Sequence, residues 1–285
     1  MNKIAFVTDS VASIPAEYVQ RYNIHVVPNI VIWSGEEYRD GVDITPSELF
    51  TRLKTDKELP TTAPVEPHIY KEVFASLLAD DFDILGIFQS STMTRTFSSA
   101  QKAKELLGAD NIIVLDSRTA NMAVGWPLIL AARAAEKGVL LTECATLARE
   151  GLAHTGVIGT VDSLEHLHRS GRLGLVQKYM GSLLNVKPLM EVIDGEFIPA
   201  GRVRTRHKAL VELTEMTVAR VNGRSPLHLY IGHNDALDDA RTLMAMIQEH
   251  LEVDESVIGE ISPIGGIMLG PGALGISFMA GVSNP

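Results

Sequence analysis

Cysteine is almost missing from this chain: Cys144 is the only one in 285 residues. No intrachain disulfide can form, which fits a reducing compartment. Cys144 falls on a helical pattern and reads as a small buried apolar residue. Basic clusters are missing too. The formal net charge is −10, and the nearest basic run, Arg202-Val203-Arg204-Thr205-Arg206-His207-Lys208, is short. That excludes the usual nucleic-acid-binding surface, and the acidic balance works against anionic membranes. The sequence has no H-E-x-x-H, no G-x-S-x-G and no Walker A motif, which excludes three common catalytic signatures. Charge is absent from residues 261–282, but six glycines and two prolines interrupt them. Such a run suits a loop and a buried strand, not a spanning helix. The chain enters a strand at once, which predicts no secretory leader and a cytoplasmic protein.

What is present points to an α/β protein. The length allows one large or two ordinary domains with a sizeable core. Strand-like runs at residues 3–7, 83–88 and 111–115 alternate with helical patterns, as in a parallel sheet covered by helices. Thr45-Pro46-Ser47-Glu48 is a capping box, and Thr61-Thr62-Ala63-Pro64 reads as a hydroxyl-bearing loop. Thr142 and Asp162 are placed to cap later helices. Asp194-Gly195 between two apolar runs is a hairpin signal.

The stretch Ser90-Ser91-Thr92-Met93-Thr94-Arg95-Thr96-Phe97-Ser98-Ser99 stands out. Seven of its ten residues carry a hydroxyl. It joins the end of a strand to the start of a helix, where open α/β sheets bind ligands. A helix N-terminus there favours an anion. A single N-cap needs one or two hydroxyls, so capping alone does not explain seven. Thr8-Asp9-Ser10 and Asp116-Ser117 end two further strands and are expected at the same sheet edge.

Other motifs carry less. Gly270-Pro271-Gly272-Ala273-Leu274-Gly275 matches G-x-G-x-x-G, but ten residues remain after it, too few for a dinucleotide unit. Its glycines suit a tight turn and close backbone approach. Glu165, His166 and His168 cannot converge on a metal from one helix face, so no metal site is expected. Arg172, on a Gly-flanked turn, and Arg204, before a helix, suit bidentate binding of carboxylate or phosphate.

Taken in series, Thr8-Asp9-Ser10, Asp43-Ile44-Thr45, Thr61-Thr62-Ala63-Pro64, residues 90–97, Asp116-Ser117, Gly171-Arg172-Leu173, Arg204-Thr205 and Gly270-Pro271-Gly272-Ala273 resemble the DegV family along the whole chain. These are bacterial fatty-acid-binding proteins, some of which present acyl chains to an ATP-dependent fatty acid kinase. The resemblance implies two α/β domains, residues 1–154 and 155–285, with parallel and mixed sheets and a ligand tunnel between them. It implies a non-catalytic carrier with a bound fatty acid and no other cofactor. By matching positions, Thr61 and Thr94 contact the carboxylate, supported by Thr62, Ser90 and Ser91. Arg172 and Arg204 match arginines of phosphoryl transfer and kinase docking. Thr94 stands where the family usually has Ser, and keeps the hydroxyl. Two positions depart further: Arg95 replaces the usual Gly, and Met268 replaces a His that normally contacts the carboxylate. Arg95 is a candidate for the missing donor. The residues alone leave a second class open, a small-molecule phosphotransferase or hydrolase, or a phosphate-ligand sensor, using the same hydroxyl loop.

Overall fold

The computed structural model describes residues 3–56, 58–171 and 186–283. β1 (Lys3–Asp9) ends in a 3-10 turn (Ser10–Ala12), followed by α1 (Ala16–Arg21), β2 (Ile24–Val27) and β3 (Ile30–Trp33). Next come β4 (Glu36–Arg39), α2 (Pro46–Leu53), β5 (Thr61–Ala63), α3 (Pro67–Ala79) and β6 (Phe82–Phe88). α4 (Thr96–Leu107), β7 (Ile112–Asp116), α5 (Met122–Glu136) and α6 (Leu141–Ala153) complete the first half. The second half holds β8 (Thr155–Thr160), α7 (Glu165–Arg169), β9 (Lys187–Ile193), β10 (Glu196–Val203) and α8 (Arg206–Val221). It ends with β11 (Leu227–His233), α9 (Leu237–Gln248), β12 (Glu255–Glu260), α10 (Pro263–Leu269) and β13 (Leu274–Ala280).

Three sheets result. A parallel sheet has the order β2-β1-β6-β7, a mixed sheet the order β10-β9-β8-β13-β11-β12, and a small antiparallel sheet the order β4-β3-β5. The central parallel strands are apolar nearly throughout, as strands covered on both faces must be. α3 and α4 cover one face of the parallel sheet, and α5 and α6 the other. α8 and α9 cover the far face of the mixed sheet. α5 also packs on β8 and β13. Twelve of its fifteen residues are therefore buried, as a helix between two sheets requires. Tyr230, Met279 and Val282 of the second half join the same apolar cluster as α5 and the parallel sheet.

Several local expectations change. Thr61-Thr62-Ala63 is a strand, because it pairs antiparallel with β3. Thr142 does not cap α6: the helix starts at Leu141, and Leu140 N donates to Glu143 Oε2 at 3.3 Å. Asp162 does not cap α7 either; its carboxylate pairs with Lys187 at 2.7 Å and Arg206 at 3.6 Å. Residues 263–269 form a helix where a loop was expected. Pro263 suits its first turn, Ser262 caps Gly265 N, and Asp40 Oδ1 accepts from Ile264 N at 3.2 Å. Cys144 is buried in α6, and burial pushes its thiol up to about 11.

A polar cluster around Glu255 joins the two halves. Glu255 of β12 accepts from Tyr18 Oη at 2.8 Å, from Arg133 Nη2 at 2.7 and 3.0 Å, and pairs with His228 Nδ1 at 2.9 Å. Burial alone would raise this carboxyl, but hydrogen bonds from His228, Arg133 and Tyr18, with the charge of Arg133, hold it well below the usual range. A lowered folded pKa adds stability above the ordinary Glu value, and that stability is lost as pH falls toward the folded value. Glu255→Gln is therefore expected to cost about 2–3 kcal/mol at neutral pH. Its unfolding free energy should fall less steeply than that of the wild type as pH drops below about 4.5. Parallel slopes in urea unfolding across that window would remove Glu255 as the acid-sensitive clasp.

Candidate functional site

The ends of β1, β6 and β7 lie side by side because the three strands pair in parallel. From β1 the chain passes to β2 on one side and later to β6 on the other, so β1 and β6 flank a topological switch point, the usual ligand crevice of such sheets. Asp9 closes the end of β1 and is fully buried. It accepts from Val11 N at 2.9 Å and from Gln89 N at 3.2 Å, and the Thr96 and Asn29 side chains lie beside it and favour its charged form. Burial pushes Asp9 above its ordinary value, against the lowering effect of these hydrogen bonds.

A polar pocket opens above Asp9. Asn29, Thr62, Gln89, Thr94 and Arg95 line it, together with the backbone of the loop before α4. Thr96 N donates to Thr94 Oγ1 at 2.9 Å, and Thr94 Oγ1 donates to Thr96 Oγ1 at 3.1 Å. Arg95 sits at the exposed N-cap of α4, a 12-residue helix whose N-terminus adds positive potential. Beside it lies an apolar cavity lined by Val161, Met190, Phe197, Ile261 and Leu274, among others. Val11, Gln89 and Met268 border both recesses. Polar side chains in the apolar cavity are engaged elsewhere. Thr160 Oγ1 donates to Pro188 O, Asn121 Oδ1 accepts from Met122 N, and Glu191 accepts from Arg220. Gln89 differs: it is buried at the junction, and its Oε1 has no partner among the described residues.

A row of glycines shapes the apolar cavity. Gly159 faces Gly275, Gly275 faces Gly232, and Gly232 faces Gly259 across four adjacent strands. Residues directly opposite in a sheet share a face; Ile261, Asn121 and Tyr230 cover Gly232, and Tyr230 covers Gly259. Gly159 and Gly275 line the cavity. A Cβ at Gly275 would meet only Asn121 Nδ2, at 3.9 Å.

The profile of the DegV family matches residues 3–281. The chain belongs to the DegV family. A DegV domain-containing protein of Caldanaerobacter subterraneus subsp. tengcongensis is 31% identical over 98% of this chain and 99% of that one. Protein DegV of Bacillus subtilis is 31% identical over 96% of this chain and 98% of its own. Among solved structures, the fatty-acid-binding DegV family protein of Thermus thermophilus has a TM-score of 0.93 at 29% identity. It covers 98% of this chain and 100% of its own. DegV of Bacillus subtilis, a fatty acid binding protein, has a TM-score of 0.88 at 29% identity over 98% of this chain and 100% of its own. The mixed α/β architecture is that of DegV proteins.

Within this DegV fold the expected residues divide. Thr62, Ser91, Thr94, Arg95 and Met268 line the polar pocket. Thr61, its neighbour on β5, lines a separate groove with His166, Arg169 and Ser170, which Thr62 and Met268 also border. Strand alternation explains the split. Ser90 is fully buried and serves the loop's own architecture. Its Oγ meets Thr92 Oγ1 at 2.9 Å, and Thr92 Oγ1 donates to Gly195 O at 2.6 Å. Ser91 N and Oγ donate to Asp116 at 3.1 and 2.5 Å. Arg204 lies exposed before α8, outside both recesses. Arg172 lies outside the described residues. Sequence reasoning missed Gln89 and Asn29, although Gln89 directly precedes the hydroxyl stretch. It also missed the glycine row, whose trace is the Ile-Gly pair at 158–159, 231–232 and 258–259.

The turn between β9 and β10 is thus pinned on the hydroxyl loop. Gly195 has φ +86, and a Cβ there would strike Ser90 Oγ. Gly195→Ala should lower stability by about 1–3 kcal/mol. Denaturant unfolding checks this; an unchanged midpoint would mean that the turn does not rest on Ser90.

Proposed function

We propose that this protein binds a long-chain fatty acid as a non-catalytic carrier. Its carboxylate would occupy the polar pocket and its acyl chain the apolar cavity between domains 1–154 and 155–285. One observation carries the reading: a polar and an apolar recess meet at Val11, Gln89 and Met268. That amphipathic shape suits a ligand with one charged end and a long hydrocarbon body. Each buried CH₂ contributes about 0.8 kcal/mol, so the chain supplies most of the affinity. The fatty acid binding of the Thermus thermophilus and Bacillus subtilis relatives supports the same ligand class.

In this reading Thr94, Thr62 and the Gln89 amide donate to the carboxylate, and Arg95 supplies the charge at the rim. Thr61 guards the adjoining groove through Thr62 and Met268. A buried carboxylate needs several such partners to offset its desolvation. The protein would act in the cytoplasm and present the acyl carboxylate to an ATP-dependent kinase, with Arg172 and Arg204 on the presenting surface.

Mass spectrometry of the denatured, as-purified protein should release about one long-chain fatty acid per chain. Release of a phosphorylated small molecule instead would favour the phosphate-ligand alternative and overturn the carrier. Arg95→Ala should weaken fatty acid binding about tenfold or more; unchanged affinity would remove Arg95 from the head-group site. Gly275→Ile should shorten the longest chain accepted with little effect on folding. Its side chain would enter the cavity rather than the packed sheet. A series of fatty acids of increasing length, measured by displacement of a fluorescent acid, reads that change.

A further inference from the structure

Four polar side chains stand among the residues that line the apolar cavity: Gln89, Asn121, Thr160 and Glu191. Thr160 is tied to Pro188 O, and Glu191 to Arg220 of α8. Gln89 sits at the junction with the polar pocket. Asn121 is left facing the hydrocarbon part of the cavity with half of its amide engaged. Its Oδ1 accepts from Met122 N at 2.8 Å and so caps α5. That bond fixes which end of the amide is which, because an NH₂ in the same place would point hydrogens at the Met122 N–H. The other end, Nδ2, carries two hydrogens and makes no hydrogen bond among the described residues.

The sheet places Nδ2 against the open side of the cavity. Gly232 and Gly275 face each other across β11 and β13. A Cβ on Gly232 would lie 3.0 Å from Nδ2, and a Cβ on Gly275 would meet Nδ2 at 3.9 Å with nothing else in reach. Gly275 lines the cavity, so the space on that side of the amide is cavity, not packed protein. The backbone is committed to this placement. Asn121 has φ 54 and ψ −146, a conformation that glycine adopts freely and other residues rarely. The cap through Oδ1 gives an oxygen a purpose at this strained position, but serine or aspartate caps a helix as well. Capping therefore leaves the donating half of the amide without a task. A saturated chain lying beside Nδ2 would bury its hydrogens without a partner, at a cost of about 1–3 kcal/mol. A chain with an oxygen at that point would accept from them instead.

We propose that Asn121 is a specificity-determining residue, and that it selects acyl chains carrying an oxygen within the chain, an oxo or hydroxyl group, at the carbon that passes Gly275. This rests on the fatty-acid reading and narrows its ligand class to a long acid with one acceptor inside its hydrocarbon body. The rest of the cavity wall is apolar, with Val157, Ile261 and Leu274 among its residues. An oxygen in the chain thus finds its donor at Nδ2, and at other points along the wall it would lose its hydration without return. A cis double bond offers the amide only a weak π acceptor. The selection is by hydrogen bond, and no covalent step is involved.

Displacement of a fluorescent acid from lipid-stripped protein reads this preference. The competitors are octadecanoate and a set of oxo-octadecanoates with the carbonyl moved stepwise along the middle of the chain. At one position the wild type should bind the oxo acid about tenfold more tightly than octadecanoate, and carbonyls further along in either direction should give no gain. Asn121→Gly removes the amide and suits the positive φ, so it should bind octadecanoate and the favoured oxo acid equally. A wild type that binds octadecanoate at least as tightly as every oxo acid overturns the inference and leaves the carrier reading intact. A preference that survives Asn121→Gly overturns it too. So does an equal gain with the cis-octadecenoate unsaturated at the same carbon, since chain shape would then be what the cavity reads. Binding of neither octadecanoate nor any oxo acid overturns both readings. The wild-type series decides by itself, so poor folding of Asn121→Gly does not weaken the test.

Discussion

One buried carboxylate gathers the parts from which the polar pocket is built. Asp9 accepts from the 3-10 turn through Val11 N and from the residue after β6 through Gln89 N, and Thr96 at the start of α4 and Asn29 before β3 lie beside it. A buried carboxyl is costly unless its hydrogen bonds are satisfied, so the turn and the end of β6 are held to a fixed place. Val11, Gln89 and Asn29 themselves line the pocket. The constraint that folds the end of β1 is thus also the constraint that shapes the site. Thr8 strengthens it from the strand side by donating to Ile87 O at 2.8 Å, which locks β1 to β6.

The apolar recess follows from a second constraint, the sharing of one helical layer by two sheets. α5 packs on β1 and β6 on one side and on β8 and β13 on the other. A helix held this way keeps the two sheets apart near its N-terminal end, where Ala120 and Asn121 reach the cavity. The glycine row removes the side chains that would otherwise fill the gap. Gly159 shows how closely the backbone comes: a Cβ there would sit 2.7 Å from Leu274 O. The recess therefore depends in part on register, since Gly159 and Gly275, paired across β8 and β13, both line it.

What could be read in the sequence follows from how local each feature is. The hydroxyl loop was legible because its chemistry is concentrated in ten consecutive residues after an apolar strand. The sheet edge was legible for the same reason, since Thr8-Asp9-Ser10, the stretch from Ser90 and Asp116-Ser117 each follow or close an apolar strand. The faces of Thr61 and Thr62 were not legible. A three-residue strand has no periodicity to read, and its pairing partner β3 lies some thirty residues earlier. α10 was hidden by its own composition, with Pro263, Gly265 and Gly266 in seven residues. Its start depends on Asp40 and Ser13, which lie far back in the chain. The glycine row was hidden because alignment of residues 159, 232, 259 and 275 is a property of the folded sheet.

Met268 shows how these constraints meet in one side chain. It lies near the end of α10 and borders the polar pocket, the apolar cavity and the groove beside Thr61. An unbranched thioether adapts to irregular space and is apolar enough to face hydrocarbon. It offers almost nothing to a carboxylate, because sulfur is a weak acceptor and carries no hydrogen. In the proposed fatty-acid reading the donors would come from the other wall, where Thr94, Gln89 and Arg95 line the polar pocket. In that reading charge recognition would fall to the start of α4, and α10 would complete the apolar surface. That division lets a short, glycine-rich helix tolerate a residue of this kind at the centre of the site.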